Sequence, residues 1–405
     1  MQTRLHGDII ATEWGREADR ILRSCVHCGF CTATCPTYLL LGDELDGPRG
    51  RIYLIKEMLE LDTAGSITQR HLDRCLTCRA CESTCPSGVE YGRLLEIGRE
   101  CVEAKVARPL RERAMRALVL HVAAHPRRLA PLLRAAQWFR PLMPSALARR
   151  IPQRDRPSPP RGEAVGQRAR RVVLLEGCVQ SVTRASTNGH ARALLNGLGV
   201  DVVSLDDEWC CGGLALHLGR TTQAEELMAH NVDVLDQALS HGAEAIVSSA
   251  SGCGVTLKDY ARLLEGDPTR RESTARVARS VQDLAEYVMG LDPALAPVGK
   301  GRRVAFQAPC TFQHGQHLGD VVERLLERAG FEPVPVVEPH LCCGSAGAYS
   351  LFQSDISEAL RARKLEGLGA SSPDVIATAN IGCQLHLEAA SDVPVRHWIE
   401  LLAAD

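Results

Sequence analysis

The stretch CVHCGFCTATCP, residues 25–36, sets four cysteines at intervals of three, three and four and closes with proline. Fifty residues on, CLTCRACESTCP, residues 75–86, repeats the spacing. Thiols this dense in a chain of 405 residues are not core filling, where a free cysteine acts as a small hydrophobe. The chain is long enough for two or three domains of roughly 100–200 residues, so its size calls for no cross-links.

Cys-x2-Cys-x2-Cys-x3-Cys-Pro is the bacterial ferredoxin run, in which three thiolates of one loop hold three corners of a cubane and the fourth reaches the other cluster. The spacing therefore assigns one 4Fe-4S cluster to Cys25, Cys28, Cys31 and Cys85, and a second to Cys75, Cys78, Cys81 and Cys35. Zinc is the competing reading, but a structural zinc site uses two Cys-x2-Cys pairs and calls for neither a third equally spaced cysteine nor a following proline. Haem attachment needs His directly after a Cys-x2-Cys pair, and neither run has one. His27, inside the loop, reads as a neighbour of the cluster. The segment between the runs, YLIKEMLELDTAGSITQRHLDRC, has helical spacing, so a helical di-cluster domain is expected rather than a compact β ferredoxin.

The N-terminus lacks a secretory pattern, and no run of about 18 apolar residues occurs. A cytoplasmic location follows, where thiols stay reduced and hold metal rather than disulfides. The formal net charge is -2, with no overall bias toward nucleic acid. Its distribution is uneven: from Lys105 to Arg171 there are 17 Lys or Arg against Glu112, Asp155 and Glu163. This stretch reads either as a basic amphipathic surface resting on anionic lipid, peripheral to the inner membrane, or as a helical connector with a solvated face. The Pro- and Arg-rich segment 151–170 is the clearest linker.

Beyond it, short β-branched runs alternate with helical patterns, as in parallel strands joined by crossover helices. RVVLLEGC, VDVVSL and AEAIVSSASGC return in order as RRVAFQAPC, FEPVPVVEPHLCCGS and PDVIATANIGC. Cys178 precedes Cys210 by 32 residues, as Cys310 precedes Cys342; Cys211 to Cys253 is 42 and Cys343 to Cys383 is 40. The expected organisation is α+β and multidomain: a helical ferredoxin-type di-cluster domain over 1–105, a basic connector over 106–170, and tandem α/β C-C-G repeats over 171–295 and 296–405. Each repeat offers four cysteines (Cys178, Cys210, Cys211 and Cys253; Cys310, Cys342, Cys343 and Cys383) in loops past strands, where open parallel sheets place ligands. Four thiolates suffice for a further iron-sulfur cluster.

No intact G-x-G-x-x-G follows a strand, since GCGVTL at 252–257 lacks the third glycine. Substrate oxidation is therefore expected on a separate flavoprotein, with no flavin and no catalytic residue in this chain. Taken together, these stretches, with GDELDGPRGRIYLIKE, EGCVQ, SASGCG, HLCCGSAG, TANIGCQLHL and VRHWIEL, resemble the iron-sulfur subunit family of bacterial glycolate oxidase, also called glycolate dehydrogenase. The resemblance implies partner FAD subunits that oxidise glycolate to glyoxylate and electrons passed through this chain toward a membrane quinone. The anaerobic glycerol 3-phosphate dehydrogenase and lactate-utilisation families share the arrangement, as alternatives.

The C-C-G repeats also resemble those of heterodisulfide reductases, which bind non-cubane clusters and end in Cys-x-x-Cys. Here Ala250 and Asn380 stand in the first of those positions, so each repeat lacks one family ligand and a disulfide reductase is the lesser alternative. GPRGRI, residues 47–52, reads as a turn that starts a helix, with Arg49 and Arg51 facing the clusters as the other reading. His314, His317 and His340 read as polar loop residues, with proton donation to quinone as the other reading. Cys101 reads as packing.

Overall fold

The computed structural model describes residues 1–144, 148–155, 170–205 and 207–402; most of the 151–170 linker lies outside them. The N-terminal part is helical, with Glu13–Ser24, Pro48–Leu61, Ser66–Asp73 and Tyr91–Lys105 as its main helices. Pro48–Leu61 buries Ile52, Ile55 and Leu59 along one stripe, the helical spacing of an amphipathic element. Tyr91–Lys105 answers with Leu94, Leu95 and Val102. The two helices meet closely: a Cβ on Gly98 would lie 2.8 Å from Ile55 Cγ1.

The GPRGRI turn has a tighter requirement. Pro48 opens the helix at its first position, where a missing N–H costs nothing. A Cβ on Gly50 would stand 2.1 Å from the Glu44 carbonyl oxygen, a backbone atom that cannot swing away. Gly50→Ala should lower stability by ~3 kcal/mol, the upper part of the overpacking range. A denaturation midpoint indistinguishable from the parent would contradict this.

Each C-terminal repeat forms a four-stranded, all-parallel sheet. β1 (Arg170–Leu175), β2 (Val200–Val203), β3 (Ala245–Ser248) and β4 (Val281–Asp283) run in the order β2-β1-β3-β4. β5 (Arg303–Gln307), β6 (Glu332–Pro333), β7 (Val375–Thr378) and β8 (Val395–His397) run as β6-β5-β7-β8, the same topology. The strands alternate between two buried faces, as crossover helices on both sides require. Val172 and Leu174 of β1 share one core with Val304 and Phe306 of β5, so the two sheets are joined through their inner faces. Val173 and Leu175 face outward into a core under the helix Thr221–Ser240.

The sequence leaves out the fourth strand of each sheet and overstates the sixth, which pairs over only Glu332 and Pro333. It also places all eight C-C-G cysteines in loops. Cys253 and Cys383 instead lie in the first turns of the helices Ser251–Lys258 and Ile381–Glu388, because only two residues separate each strand from its helix.

The basic stretch forms the helices Leu110–Ala123 and Pro126–Phe139. Leu120 and Ala124 pack into the outer core of the first repeat. Pro126–Phe139 buries none of its residues, and Leu132, Trp138, Phe139 and Leu142 are exposed among arginines. No helix among the described residues is long and apolar enough to cross a membrane.

Candidate metal centres

Both cysteine runs fold as irregular loops ahead of a short helical turn, and their backbones are shaped alike. His27 and Gly29 have φ of 57° and 86°, and Thr77 and Arg79, at the equivalent positions, have 54° and 60°. Left-handed residues turn the loop so that successive thiols point inward, at a cost of roughly 1–2 kcal/mol for each non-glycine. Cys25, Cys28, Cys31 and Cys85 border one small cavity, walled by Ile52 and Val89 and also touched by Cys81. Burial pushes the Cys31 thiol up to about 11, and Cys25, Cys28 and Cys85 add to it.

The second run converges on a drier place. Cys35, Cys75 and Cys81 are buried, while Cys78 opens onto a larger cavity. Burial raises the Cys81 thiol, with Cys78, Cys75 and Cys35 contributing. Cys85 of the second run is thus among the neighbours of Cys31, and Cys35 of the first run among those of Cys81. The Tyr91 hydroxyl donates to Cys75 Sγ at 3.6 Å. Two sets of four free cysteines, the first lining one small cavity and the second largely buried, fit the donor set of a 4Fe-4S cluster.

The eight C-C-G cysteines border a single cavity of about 890 Å³, which reaches Cys78. In the second repeat Cys343 and Cys383 sulfurs lie 3.2 Å apart, and Cys310 and Cys342 sulfurs 3.9 Å apart. In the first repeat Cys210 is raised chiefly by its hydrogen bond to Cys178, and Cys253 by its bond to Cys211. The repeats meet at this cavity: Ser251 N donates to Ala379 O at 3.1 Å and Gly252 N to Asn380 Oδ1 at 3.2 Å. Asn380 also donates to Cys383 Sγ at 3.7 Å, so the residue standing in the first position of that motif supports a sulfur.

The ferredoxin-type part is seated on both repeats. Tyr349 Oη donates to Arg74 O at 3.0 Å, Thr77 Oγ1 meets His217 Nδ1 at 3.0 Å, and Arg79 pairs with Asp259. Burial raises the Cys78 thiol, and Cys310 is the foremost neighbouring group adding to it. Leu76, Cys78, Cys310, Cys342 and Tyr349 pack in one apolar cluster. The second run therefore bridges the first run and the C-C-G cavity.

Several residues with a place in these sites escape a sequence reading. His217 and His386 border the large cavity, and burial lowers both to about 4, so they are neutral near pH 7. Lys364 is 3 % exposed; burial lowers its ammonium, and the thiols of Cys343, Cys342, Cys383 and Cys310 act in the opposite sense. Its Nζ donates to the Glu338 and Pro339 carbonyls at 3.2 and 3.0 Å. Nothing in a helical pattern distinguishes such a lysine from a solvated one. His314, by contrast, bonds Ser83 Oγ and the His340 carbonyl, at 3.1 and 3.0 Å, tying a repeat loop to the second run. Cys101 packs at the edge of the N-terminal core.

Comparison with known proteins agrees with this division. Residues 21–89 match the 4Fe-4S dicluster domain, and 172–258 and 304–388 match the Cysteine-rich domain. The glycolate oxidase iron-sulfur subunit of Escherichia coli (strain K12) is 44% identical over 402 residues, covering 99% of this chain and 98% of that protein. The probable glycolate oxidase iron-sulfur subunit of Bacillus subtilis (strain 168) is 30% identical, covering 91% and 88%. A crystal structure of a hypothetical protein from Helicobacter pylori shares the fold, with a TM-score of 0.54 at 12% identity over 96% of this chain and 72% of that one. With its di-cluster region, its two cysteine-rich repeats and this full-length similarity, the chain belongs to the family of glycolate oxidase iron-sulfur subunits.

Proposed function

We propose that this chain is the electron-transfer subunit of a flavin-dependent glycolate dehydrogenase, receiving electrons from partner FAD subunits and delivering them toward a membrane quinone. The observation that carries the reading is the unbroken succession of thiol sets, from the first run through the second run to the C-C-G cavity. A 4Fe-4S cluster takes up and releases one electron at a time, which suits relay between a flavin and a quinone. Cys25, Cys28, Cys31 and Cys85 would hold one cluster, and Cys75, Cys78, Cys81 and Cys35 the other. A further cluster is assigned to the C-C-G cavity, where the buried Lys364 stands near the thiols of the second repeat.

The chain's own residues exclude water around Cys35, Cys75 and Cys81, and hold the second run against both repeats through Arg79 and Tyr349. The exposed apolar and basic surface of Pro126–Phe139 supports peripheral contact with anionic lipid on the cytoplasmic face of the inner membrane. The test is reconstitution. The purified chain should oxidise no glycolate, and addition of its FAD subunits should restore turnover with a quinone-like dye. Glycolate oxidation by the chain alone would overturn the proposal.

A further inference from the structure

Arg51 lies in the GPRGRI segment, yet it does more than a helix-starting turn requires. Its side chain is 1 % exposed. Nε donates to His71 O at 2.7 Å and Nη2 to Thr37 Oγ1 at 3.1 Å. Nη1 lies 4.0 Å from Cys35 Sγ, and Thr37 Oγ1 is 3.3 Å from the same sulfur. A guanidinium taken out of water costs several kcal/mol and persists only against negative charge.

Asp46, fully buried, supplies part of that charge. Its Oδ1 is 3.5 Å from Arg51 Nη2 and 2.8 Å from His71 Nδ1, while Oδ2 accepts from Arg74 at 2.8 Å. Asp43, Asp46 and His71 hold potential ligand atoms within 4.8 Å of one another. Both Asp46 oxygens are already engaged by these donors, so the trio is an ion-pair hub and not a cation site. Two guanidiniums then face one carboxylate, and the remaining positive charge sits beside Cys35 and Cys75. The first run has no buried equivalent: Arg49 borders its cavity but is partly exposed and paired with Glu44 at 2.6 Å, so solvent and that carboxylate offset its charge.

Net charge near a cluster and its exposure to solvent are among the terms that set its potential. Burial of the second thiol set disfavours the more negative, reduced state, and a buried guanidinium opposes that penalty. We propose that Arg51 tunes the centre held by Cys35, Cys75, Cys78 and Cys81, its buried charge stabilising the reduced state and so fixing the order in which the two N-terminal centres fill. The inference rests on that ligand set. The step concerned is uptake of one electron, from dithionite in the test below, with no bond made or broken.

The test is an EPR-monitored redox titration of the full chain, with iron content measured in parallel. Arg51→Met should shift this centre toward its oxidised state about tenfold, a midpoint lower by about 59 mV for a one-electron couple. Arg51→Lys should retain most of the parental midpoint, Arg74→Gln should lower it, and the other centre should stay unmoved throughout. Unmoved midpoints in Arg51→Met at full iron content overturn the inference. Should Arg51→Met lose iron, Arg74→Gln decides, since Arg74 is partly exposed and its removal leaves no buried hole. A parent chain without a second 4Fe-4S signal overturns the ligand set along with the inference, whereas two centres with unmoved midpoints overturn the inference alone.

Discussion

Removal of iron should unfold the N-terminal part while the two parallel sheets stay formed. The N-terminal core gathers Ile21, Leu22, Ile55, Leu59, Leu94 and Leu95 around Cys25, Cys75 and Cys81, so the thiols are part of what the helices pack against. Both cysteine loops hold residues in the left-handed region, among them His27, Thr77 and Arg79. That strain, of order 1–3 kcal/mol each, persists only while something over-determines the loop. Without metal, the buried thiols take up protons, no bond joins them, and no hydrogen-bonded ladder restrains the loops. Metal-binding free energy in such sites is folding free energy. Hydrogen exchange after anaerobic chelation should show loss of protection in Pro48–Leu61 and Tyr91–Lys105, with β1, β3, β5 and β7 still protected. Full protection of the two helices in the iron-free chain would refute the coupling.

Cys343→Ser should remove about four irons per chain and leave the signals of the two N-terminal clusters in place. Cys343 is buried, 3.2 Å from Cys383, in a repeat whose Cys310 and Cys342 pack with Cys78. Turnover reconstituted with the flavin subunits should fall by more than tenfold, since the proposed outward path from the second run passes through this cavity. Dithionite should reduce the N-terminal clusters as before. If the parent holds only eight irons and Cys343→Ser leaves turnover intact, the C-C-G cavity serves packing or partner binding and the electron path ends at the second run.

Much of this architecture is legible in the chain. The two runs and the doubled C-C-G spacing are local patterns, set by the reach of a few residues, and the helices and the inner strands announce themselves by period. The short strands do not. β4 and β8 have three residues each, too few to alternate, and exist because β3 and β7 offer open edges. Likewise Cys253 and Cys383 lie on helices because only two residues separate strand from helix in each repeat.

The sequence by itself determined the two ferredoxin-type runs, the helical and α/β division, and the duplication, because each depends on spacing along the chain. Only the tertiary structure decided that both C-C-G sets face one cavity, that Cys78 joins it, and that Arg51, Lys364 and Asn380 attend the sulfurs. Those relations join residues far apart in the chain, as Gly252 and Asn380 are across the two repeats, 128 positions apart. Burial and charge pairing of that kind arise only when the sheets close on each other and the ferredoxin-type helices settle over the seam.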